Sequence, residues 1–311
     1  MNKEKYINIL NFGFSKIRFS VFDSNLNERF LGSSNVILET DFSNHFKKIN
    51  NIVKLAEKKI SRHIQDIVLT LDPNDLFVIA ISIEKKQDEK SEFNKIYSNV
   101  LLELDQLIKL HYNSYKIIHV FLDECIINNQ IYFELPKDKH QINNIKFNFK
   151  IICFNKKNLE YLLNFFKKNN LNIKNIFCTS FVKSLHYSNK LSKKNSSFLE
   201  IGWERATLIK FKDKKFNSIK SIPVGSFHIT KDISKIFNIS IEDAEKIKKS
   251  FNKSETEFSY ENNSVDENFL LKELLSKNIS IDKLKKVILY RIQEIIDLVS
   301  RNNNNLNNKN D

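Results

Sequence analysis

The chain has 311 residues, of which 41% are hydrophobic and 28% charged, a composition that favours folded cores over disorder. Its formal net charge of +13 has two interpretations, a basic surface for anionic partners or a compositional bias toward lysine. The lysines are dispersed and accompany no aromatic-interleaved motif, which argues against a nucleic-acid-binding protein. The N-terminal residues MNKEKYINIL have no leader pattern, and no run approaches the roughly 20 apolar residues that span a bilayer. We therefore expect neither a signal peptide nor a membrane-spanning helix.

Three cysteines, Cys125, Cys153 and Cys178, lie far apart in apolar, strand-like runs. An odd number without Cys-x-x-Cys spacing predicts reduced, buried thiols in a cytosolic protein. The isolated His119 and His186 accompany no residues at metal-ligand spacing. We interpret both as packing or surface residues and expect no metal site.

Alternating strand and helix patterns open the chain. Apolar alternation predicts a hairpin of strands Tyr6–Leu10 and Ile17–Phe22, and apolar residues at helical spacing predict a helix over Ser43–Arg62. The strand Asp66–Leu71 follows and ends in the turn signal Asp-Pro-Asn at 72–74. Together these elements indicate one α/β lobe.

A second group of elements predicts a small α/β subdomain. Its predicted parts are a strand at Leu76–Ile83, a charged loop at Glu84–Ser91, a helix at Phe93–Leu110 and strands near His119, Ile131 and Ile151. Helix Leu159–Asn169 and strand Ile173–Phe177 then return to the first lobe.

A second, mainly helical lobe is predicted from Ser197 onward. Its predicted helices are Ile229–Phe237, Ser240–Phe251, a weaker one at Glu267–Lys277, and Ile281–Arg301. The last helix carries an apolar stripe beside basic residues, a pattern typical of either a membrane-surface helix or a core helix, and its acidic residues favour the core. The polar stretch Asn252–Asn268 predicts a mobile loop, and the Asn-rich stretch Asn302–Asp311 predicts a disordered tail.

Four segments carry a resemblance to a known family. They are INILNFGFSKIRFSVFD at Ile7–Asp23, KIIHVFLDECIINNQ at Lys116–Gln130, FLEIGWERATLIKF at Phe198–Phe211, and the pieces TKDIS and EDAEKIK within residues 230–248. In this order they resemble the FtsA family of actin-like bacterial cell-division proteins, which connect the FtsZ ring to the membrane. The resemblance covers nearly the whole chain, and the TKDIS and EDAEKIK pieces are its most specific part.

The resemblance implies an α/β fold of the actin-like (ribonuclease H-like) type, with two lobes and a small inserted α/β subdomain. It assigns residues 1–76 and 155–196 to the first lobe, 77–154 to the inserted FtsA-type subdomain, 197–301 to an incomplete second lobe and 302–311 to a disordered tail. Family members continue into a Gly-rich adenosine-binding segment. Because this chain has only four glycines, we expect that segment to be absent.

The first segment resembles the family's first phosphate hairpin. Gly13 and Lys16 match that hairpin, but Asn11 replaces its acidic residue and Phe14 its hydroxyl residue. Loss of the acid removes a group that, in the family, supports the metal and its waters.

The hairpin Phe198–Phe211 resembles the second phosphate hairpin, whose glycines let phosphate lie against bare backbone amides. Only Gly202 remains of three glycines, and Trp203 and Glu204 follow it. We expect the indole to occupy the phosphate space and the carboxylate to repel phosphate by roughly 1 to 4 kcal/mol at about 4 Å. The alternative is an ordinary β-hairpin with a tryptophan in its turn.

These losses predict a pseudo-ATPase with no catalytic residues, no resident cofactor and no metal. By resemblance, the residual cofactor-binding residues are Gly13, Ser15, Lys16, Glu200, Gly202 and Gly225. The alternative is a protein that still binds ATP and Mg²⁺, in which Lys16 neutralises phosphate and Glu200 holds a metal-bound water.

The resemblance also implies partners and a location. We expect a non-enzymatic adaptor that binds FtsZ, associates with further FtsA-like subunits and other divisome proteins, binds no nucleic acid, and lies in the cytoplasm at the division site. Contact with the membrane is expected only weakly or through a partner. Because FtsZ tails are partly acidic, Lys246, Lys248, Lys249 and Arg291 are candidate contacts, unless they are merely solvated. A pilus-assembly scaffold of related actin-like type is a further alternative.

Overall fold

The computed structural model describes residues 6–13, 15–36, 42–72, 76–86, 93–132, 143–255 and 279–301. Phe14, positions 73–74 of the predicted turn, the predicted helix Glu267–Lys277 and the predicted tail Asn302–Asp311 lie outside the described residues, as do residues 87–91 and 256–268 of the two predicted loops. The chain divides into two compact units, Met1–Phe198 with Ile209–Ile219, and Leu199–Leu208 with Lys220–Asp311.

Twelve strands and seven helices can be described. In chain order they are β1 (Ile7–Phe12), β2 (Lys16–Phe22), β3 (Glu28–Asn35), α1 (Phe42–Ile60), β4 (Asp66–Leu71), β5 (Phe77–Lys86), α2 (Phe93–His111), β6 (Tyr115–Ile127), β7 (Gln130–Tyr132), β8 (Asn144–Asn155), α3 (Lys156–Lys168), β9 (Asn172–Cys178), α4 (Thr179–Lys190), β10 (Ser196–Ile201), β11 (Ala206–Lys212), β12 (Lys215–Ile222), α5 (Ser226–Phe237), α6 (Ile241–Glu255) and α7 (Ile281–Ser300).

A five-stranded sheet in the order β3-β2-β1-β4-β9 forms the centre of the first unit. Strands β1, β2 and β3 are antiparallel neighbours, whereas β4 runs parallel to both β1 and β9. Alternating residues of β2, namely Ile17, Phe19 and Val21, are fully buried, as the period of a strand requires. They share a core with α1, whose Ile49 and Ala56 are also fully buried.

The segment predicted as an inserted subdomain forms a second sheet, in the order β5-β8-β6-β7. It is antiparallel, and α2 contributes Val100, Leu104 and Ile108 to a core that also contains Phe147 and Phe149 of β8. This core is distinct from that of the five-stranded sheet.

Helices α5, α6 and α7 form the core of the second unit. Ile233 of α5, Ala244 and Ile247 of α6, and Leu284 and Ile288 of α7 are buried together. The apolar stripe of α7 thus packs in the protein core, as predicted. No helix in the described part of the chain is long and apolar enough to cross a membrane.

Both predicted loops start too early. Residues Glu84–Lys86 continue β5 instead of starting a loop, because they pair with the start of β8 and Glu84 accepts a hydrogen bond from Asn144 at 2.9 Å. Residues 252–255 continue α6 instead of belonging to a loop. Strands β3 and β12 and helix α4 were not predicted, and the domain boundaries stay a prediction.

The buried thiols are confirmed. Cys125, Cys153 and Cys178 are all fully buried and form no disulfide. Burial raises the pKa of Cys125 and of Cys153 to about 11, so both stay protonated at neutral pH.

Candidate functional site

The first phosphate-type hairpin lies in the first unit, between β1 and β2. A Cβ atom at Gly13 would lie 2.7 Å from the carbonyl oxygen of Lys16, so the turn needs a glycine there. The carbonyl oxygen of Ser15 accepts a hydrogen bond from the Val36 amide at 2.9 Å, and Lys16 begins β2 opposite Asn35. The hairpin is therefore tied into the sheet through its backbone.

Asn11 uses its amide group inside the protein. Its Nδ2 donates to Thr70 Oγ1 at 2.8 Å and to Thr179 Oγ1 at 3.3 Å, linking β1 to β4 and to the start of α4. A carboxylate at this position would accept from both hydroxyl groups, whereas the amide donates to them. Asn11 thus serves as a structural link at the position where the family has its acid.

The second phosphate-type turn lies in the second unit, between β10 and β11. Gly202 closes this turn through a bond from its amide to the Arg205 carbonyl oxygen at 2.8 Å. The carbonyl oxygens of Gly202 and Trp203 accept hydrogen bonds from the amides of Ser226 and Phe227, each at 2.8 Å. These are the first two amides of α5, which has no side-chain cap on them.

Gly225 precedes α5 and lies against the same turn. A Cβ atom at Gly225 would come within 2.4 Å of the Arg205 nitrogen and within 2.5 and 2.6 Å of the carbonyl oxygens of Gly202 and Trp203. The Gly225 amide donates to Nδ1 of His228 at 3.2 Å. The backbone of Gly225 is extended, a conformation open to any residue, so glycine is required here only because there is no space for a side chain.

Trp203 stacks on the first turn of α5. Its ring lies 4.7 Å from that of Phe227 at an angle of 24°, and the ammonium group of Lys248 lies 5.1 Å from the centre of the indole. The ammonium of Lys231 lies 4.5 Å from the Phe227 ring. The indole therefore packs within its own unit, between an aromatic ring and a cation.

Lys248 is the centre of a buried polar cluster that links α5 to α6. Its Nζ donates to the carbonyl oxygen of Ser226 at 3.0 Å and to Thr230 Oγ1 at 2.8 Å, and lies 2.7 Å from Glu245 Oε2. Thr230 Oγ1 also donates to Glu245 Oε2 at 2.6 Å. Burial lowers the pKa of Lys248, and the bond with Glu245 opposes this effect.

The four predicted partner-binding residues differ in exposure. Only 7% of the Lys248 side chain is exposed, so it cannot be a surface contact. Its charge is paired with Glu245 instead. Lys246 and Lys249 are more than half exposed on α6. Arg291 of α7 is half-buried and binds Asp232 of α5 through two nitrogens, at 2.6 and 2.9 Å. These hydrogen bonds raise the pKa of Arg291.

The six residues predicted to bind a cofactor fall into two groups. Gly13, Ser15 and Lys16 belong to the first unit, and Glu200, Gly202 and Gly225 to the second. Of these, the structure brings Gly202 and Gly225 into direct contact. Among the described residues, no group of three or more His, Cys, Asp or Glu side chains is placed to hold a metal ion.

Sequence reasoning missed Phe227, Thr230 and Glu245 as residues that contact Trp203 and Lys248 beside the Gly202 turn. Helical spacing carries part of the signal: Lys248 lies four residues after the buried Ala244 and three before the buried Phe251, so it belongs to the inner face of α6. The partners of the α5 amides carry no such signal, because backbone carbonyl groups provide them.

Comparison with known proteins gives a family match and structural likenesses. Residues 198–301, about a third of the chain, match the model of the family described as cell division protein FtsA. No curated protein matches the chain significantly in sequence.

Among solved structures, the PilM–PilN type IV pilus biogenesis complex is similar with a TM-score of 0.58 at 11% identity, over 94% of this chain and 76% of that chain. The ethanolamine utilization protein EutJ from Carboxydothermus hydrogenoformans gives 0.46 at 11% identity, over 94% and 72%. MreB 5 of Spiroplasma citri bound to AMPPNP gives 0.45 at 11% identity, over 95% and 77%. At such identity the first likeness shows the fold alone, and it confirms the predicted actin-like α/β architecture.

Proposed function

We propose that this chain, an FtsA-like protein with the actin-like fold, acts as a non-enzymatic adaptor for the FtsZ ring at the division site. The observation that carries the proposal is the match of residues 198–301 to the FtsA family. That segment includes the Gly202 turn and helices α5, α6 and α7. The same helices carry the exposed lysines that we propose as contacts for a partner.

Loss of ATP chemistry is the second part of the proposal. In the first unit, Asn11 donates to two threonine hydroxyl groups at the place of the family's acid. In the second unit, the first two amides of α5 already bond to the carbonyl oxygens of Gly202 and Trp203. Both observations support a protein that binds its partners without hydrolysing a nucleotide.

The proposed FtsZ contact is the exposed face of α6 that carries Lys246 and Lys249. Both side chains are more than half exposed, and their ion pairs are long, with Lys246 at 4.0 Å from Asp243 and Lys249 at 3.5 Å from Glu245, so both ammonium groups can attract an acidic peptide. Arg291 contributes less, because its guanidinium group is held by Asp232 and Glu294. Lys248 has no direct role in this contact.

The remaining elements of the proposal follow from the family. The protein would associate with further FtsA-like subunits and other divisome proteins, on the cytoplasmic side of the membrane at the septum. A partner would supply the main membrane contact.

Fluorescence anisotropy with a labelled FtsZ C-terminal tail peptide tests the adaptor function. We expect saturable binding at about 0.1 M salt that persists at about 0.5 M, since specific contacts outlast screened attraction. Replacing both Lys246 and Lys249 with Glu should weaken the affinity by about tenfold or more. The matched control replaces Lys58 and Lys59, exposed on α1, with Glu, so that the net charge changes equally.

A scrambled peptide of the same composition measures non-specific attraction. The adaptor proposal fails if the native and scrambled peptides bind equally well, or if binding vanishes at the higher salt. An equal loss of affinity in both double variants would contradict the proposed contact on α6 but not the adaptor function.

A pilus-assembly scaffold is the second candidate, because the complex with a TM-score of 0.58 is a PilM–PilN complex. At 11% identity that likeness shows only the fold, so the family match favours the division role. Saturable binding of a PilN peptide, with no specific binding of the FtsZ tail, would favour the scaffold instead.

A further inference from the structure

We infer that the turn at Gly202–Arg205 is an internal plug for the N-terminus of α5, and that Lys248 is the positioning residue that keeps this plug closed. The inference rests on the proposed loss of nucleotide chemistry at this turn and deepens it. It assigns to the turn the place that an external anion takes at an open helix N-terminus.

The first step is the state of the α5 amides. The first amides of an α-helix have no partner inside the helix, and they are ready donors for an anion. Here the Ser226 and Phe227 amides each donate at 2.8 Å to a carbonyl oxygen of the turn, and the His228 amide donates to the Gly225 carbonyl oxygen at 3.0 Å. The first three donors of α5 therefore already have acceptors within the protein.

The second step is the closeness of the fit. Gly225 has no room for a Cβ atom, because three backbone atoms of the turn lie within 2.6 Å of its position. No space for a phosphate group remains between the turn and the start of the helix. An anion reaches the α5 amides only after the turn has moved away.

The third step identifies what holds the turn. The Trp203 ring lies between Phe227, at 4.7 Å, and the Lys248 ammonium, at 5.1 Å. The same ammonium bonds the Ser226 carbonyl oxygen, and Thr230 and Glu245 fix its position. Lys248 thus contacts both sides of the junction, the indole of the turn and the first residue of α5.

The fourth step is the source of the positive charge. An anion at a helix N-terminus is stabilised by the helix dipole and by nearby cations. In this protein the cation is turned to the indole and to Glu245, so no strong positive charge from Lys248 is left to attract phosphate.

Trp203 is the only tryptophan of the chain, so intrinsic fluorescence reports directly on the plug. In the full-length protein we expect Lys248→Met to shift the emission to longer wavelength and to raise the acrylamide quenching constant about twofold, as the indole loses its cation. Lys249→Met is the matched control, because Lys249 is exposed and also faces Glu245, at 3.5 Å. It should leave both readings unchanged.

The double variant Lys248→Met with Glu245→Gln separates positioning from general stability. In Lys248→Met the buried Glu245 carboxylate keeps only the more distant Lys249, at 3.5 Å, so removing the carboxylate charge as well should let the thermal midpoint recover relative to Lys248→Met. If Lys248 positions the plug, Trp203 quenching stays high in the double variant. Quenching that returns to the wild-type value together with the midpoint would overturn the assignment of Lys248, as would unchanged quenching in Lys248→Met.

Hydrogen-exchange NMR of the wild-type protein tests the plug without any substitution. The Ser226 and Phe227 amides should exchange at least about tenfold more slowly than the open first-turn amides of other helices. Exchange of the Ser226 and Phe227 amides at the rate of an unfolded chain would show that the turn does not bond them, and the plug would be refuted. Neither result depends on FtsZ binding, so failure of the adaptor proposal is distinguishable from failure of this one.

Discussion

His119 combines two properties that make the stability of the first unit depend on pH. Its Nε2 accepts a hydrogen bond from the Cys178 amide at 3.0 Å, which requires a neutral imidazole with its proton on Nδ1. Its ring packs against Phe121, Phe177 and Phe181, and burial lowers the pKa of His119 to about 4. As expected from the sequence, this histidine is a packing residue.

Lowering the pH from about 6.5 to about 4 should destabilise the protein through His119. In this window the unfolded chain, with a histidine pKa near 6.5, binds a proton that the folded protein excludes, so the free energy of unfolding falls by about 1 to 3 kcal/mol. Thermal unfolding of the wild type and of His119→Gln, measured at pH 7, 5.5 and 4, checks this.

The Gln variant retains an acceptor but does not titrate. Carboxylates contribute equally to both proteins, so the difference between the two curves isolates His119. Parallel curves across the window would show that His119 is not the responsible group.

At the scale of residues, the sequence predicted those properties that depend on neighbouring positions in the chain. Reduced thiols followed from the spacing of the cysteines, and the need for Gly13 agrees with its tight turn. Lys248 was interpreted as a surface contact from the resemblance and its charge, but the buried Ala244 and Phe251, four residues before and three after it, place it on the inner face of α6. The stacking of Trp203 on Phe227 joins two residues that are far apart in the sequence, so no local pattern predicts it.

At the scale of elements, helix α7 ends against a lysine of another element. Lys220, on β12, donates from its Nζ to the carbonyl oxygen of Leu298 at 3.2 Å and also to that of Arg301. The last carbonyl groups of a helix have no intrahelical donor and carry partial negative charge, so a cation there is stabilising. Lys220 and α7 both belong to the second unit.

Replacing Lys220 with Met should lower the stability of the second unit by about 1 kcal/mol, because the carbonyl groups lose a charged donor while the apolar stem is kept. Circular dichroism at increasing urea concentration measures the change. Lys286→Met, on the exposed side of the same helix, removes an equal charge without affecting these bonds and should have little effect. Equal losses for both variants would attribute the change to net charge instead of capping.

Elements with strong periodicity or a side-chain cap were predicted well. The strand Asp66–Leu71 has the predicted bounds, and α6 begins after Ser240, whose hydroxyl accepts from the Asp243 amide at 3.1 Å. Helix α5 was predicted to begin at Ile229 but begins at Ser226, because turn carbonyl groups, not a side chain, satisfy its first amides. Strand β3, with the sequence ERFLGSSN, lacks the apolar alternation that marks a strand.

At the scale of the whole molecule, each of the two units carries one hairpin that resembles a phosphate hairpin of the FtsA family. In each unit this hairpin is used for internal bonding, through Asn11 in the first and through the Gly202 turn in the second. Within the actin-like architecture, Asn11 and the Gly202 turn thus have structural partners. This architecture was predictable from the order of the motifs, whereas the internal bonding required the tertiary structure.

We accordingly expect Mg-ATP to leave the thermal stability of the full chain unchanged. A ligand present at a hundred times its Kd stabilises the folded state by about 2.7 kcal/mol, which for units of this size raises Tm by several degrees. Differential scanning fluorimetry with millimolar Mg-ATP, compared with Mg²⁺ alone, should show a change in Tm below about 1 °C, as expected for a nucleotide that does not bind. A rise in Tm that grows with ATP concentration and then saturates would contradict the proposed loss of nucleotide binding. In that case the Asn11 bonds or the Gly202 turn would have to open to admit the phosphates, and the exchange rates of the Ser226 and Phe227 amides, with and without ATP, would identify whether the turn does so.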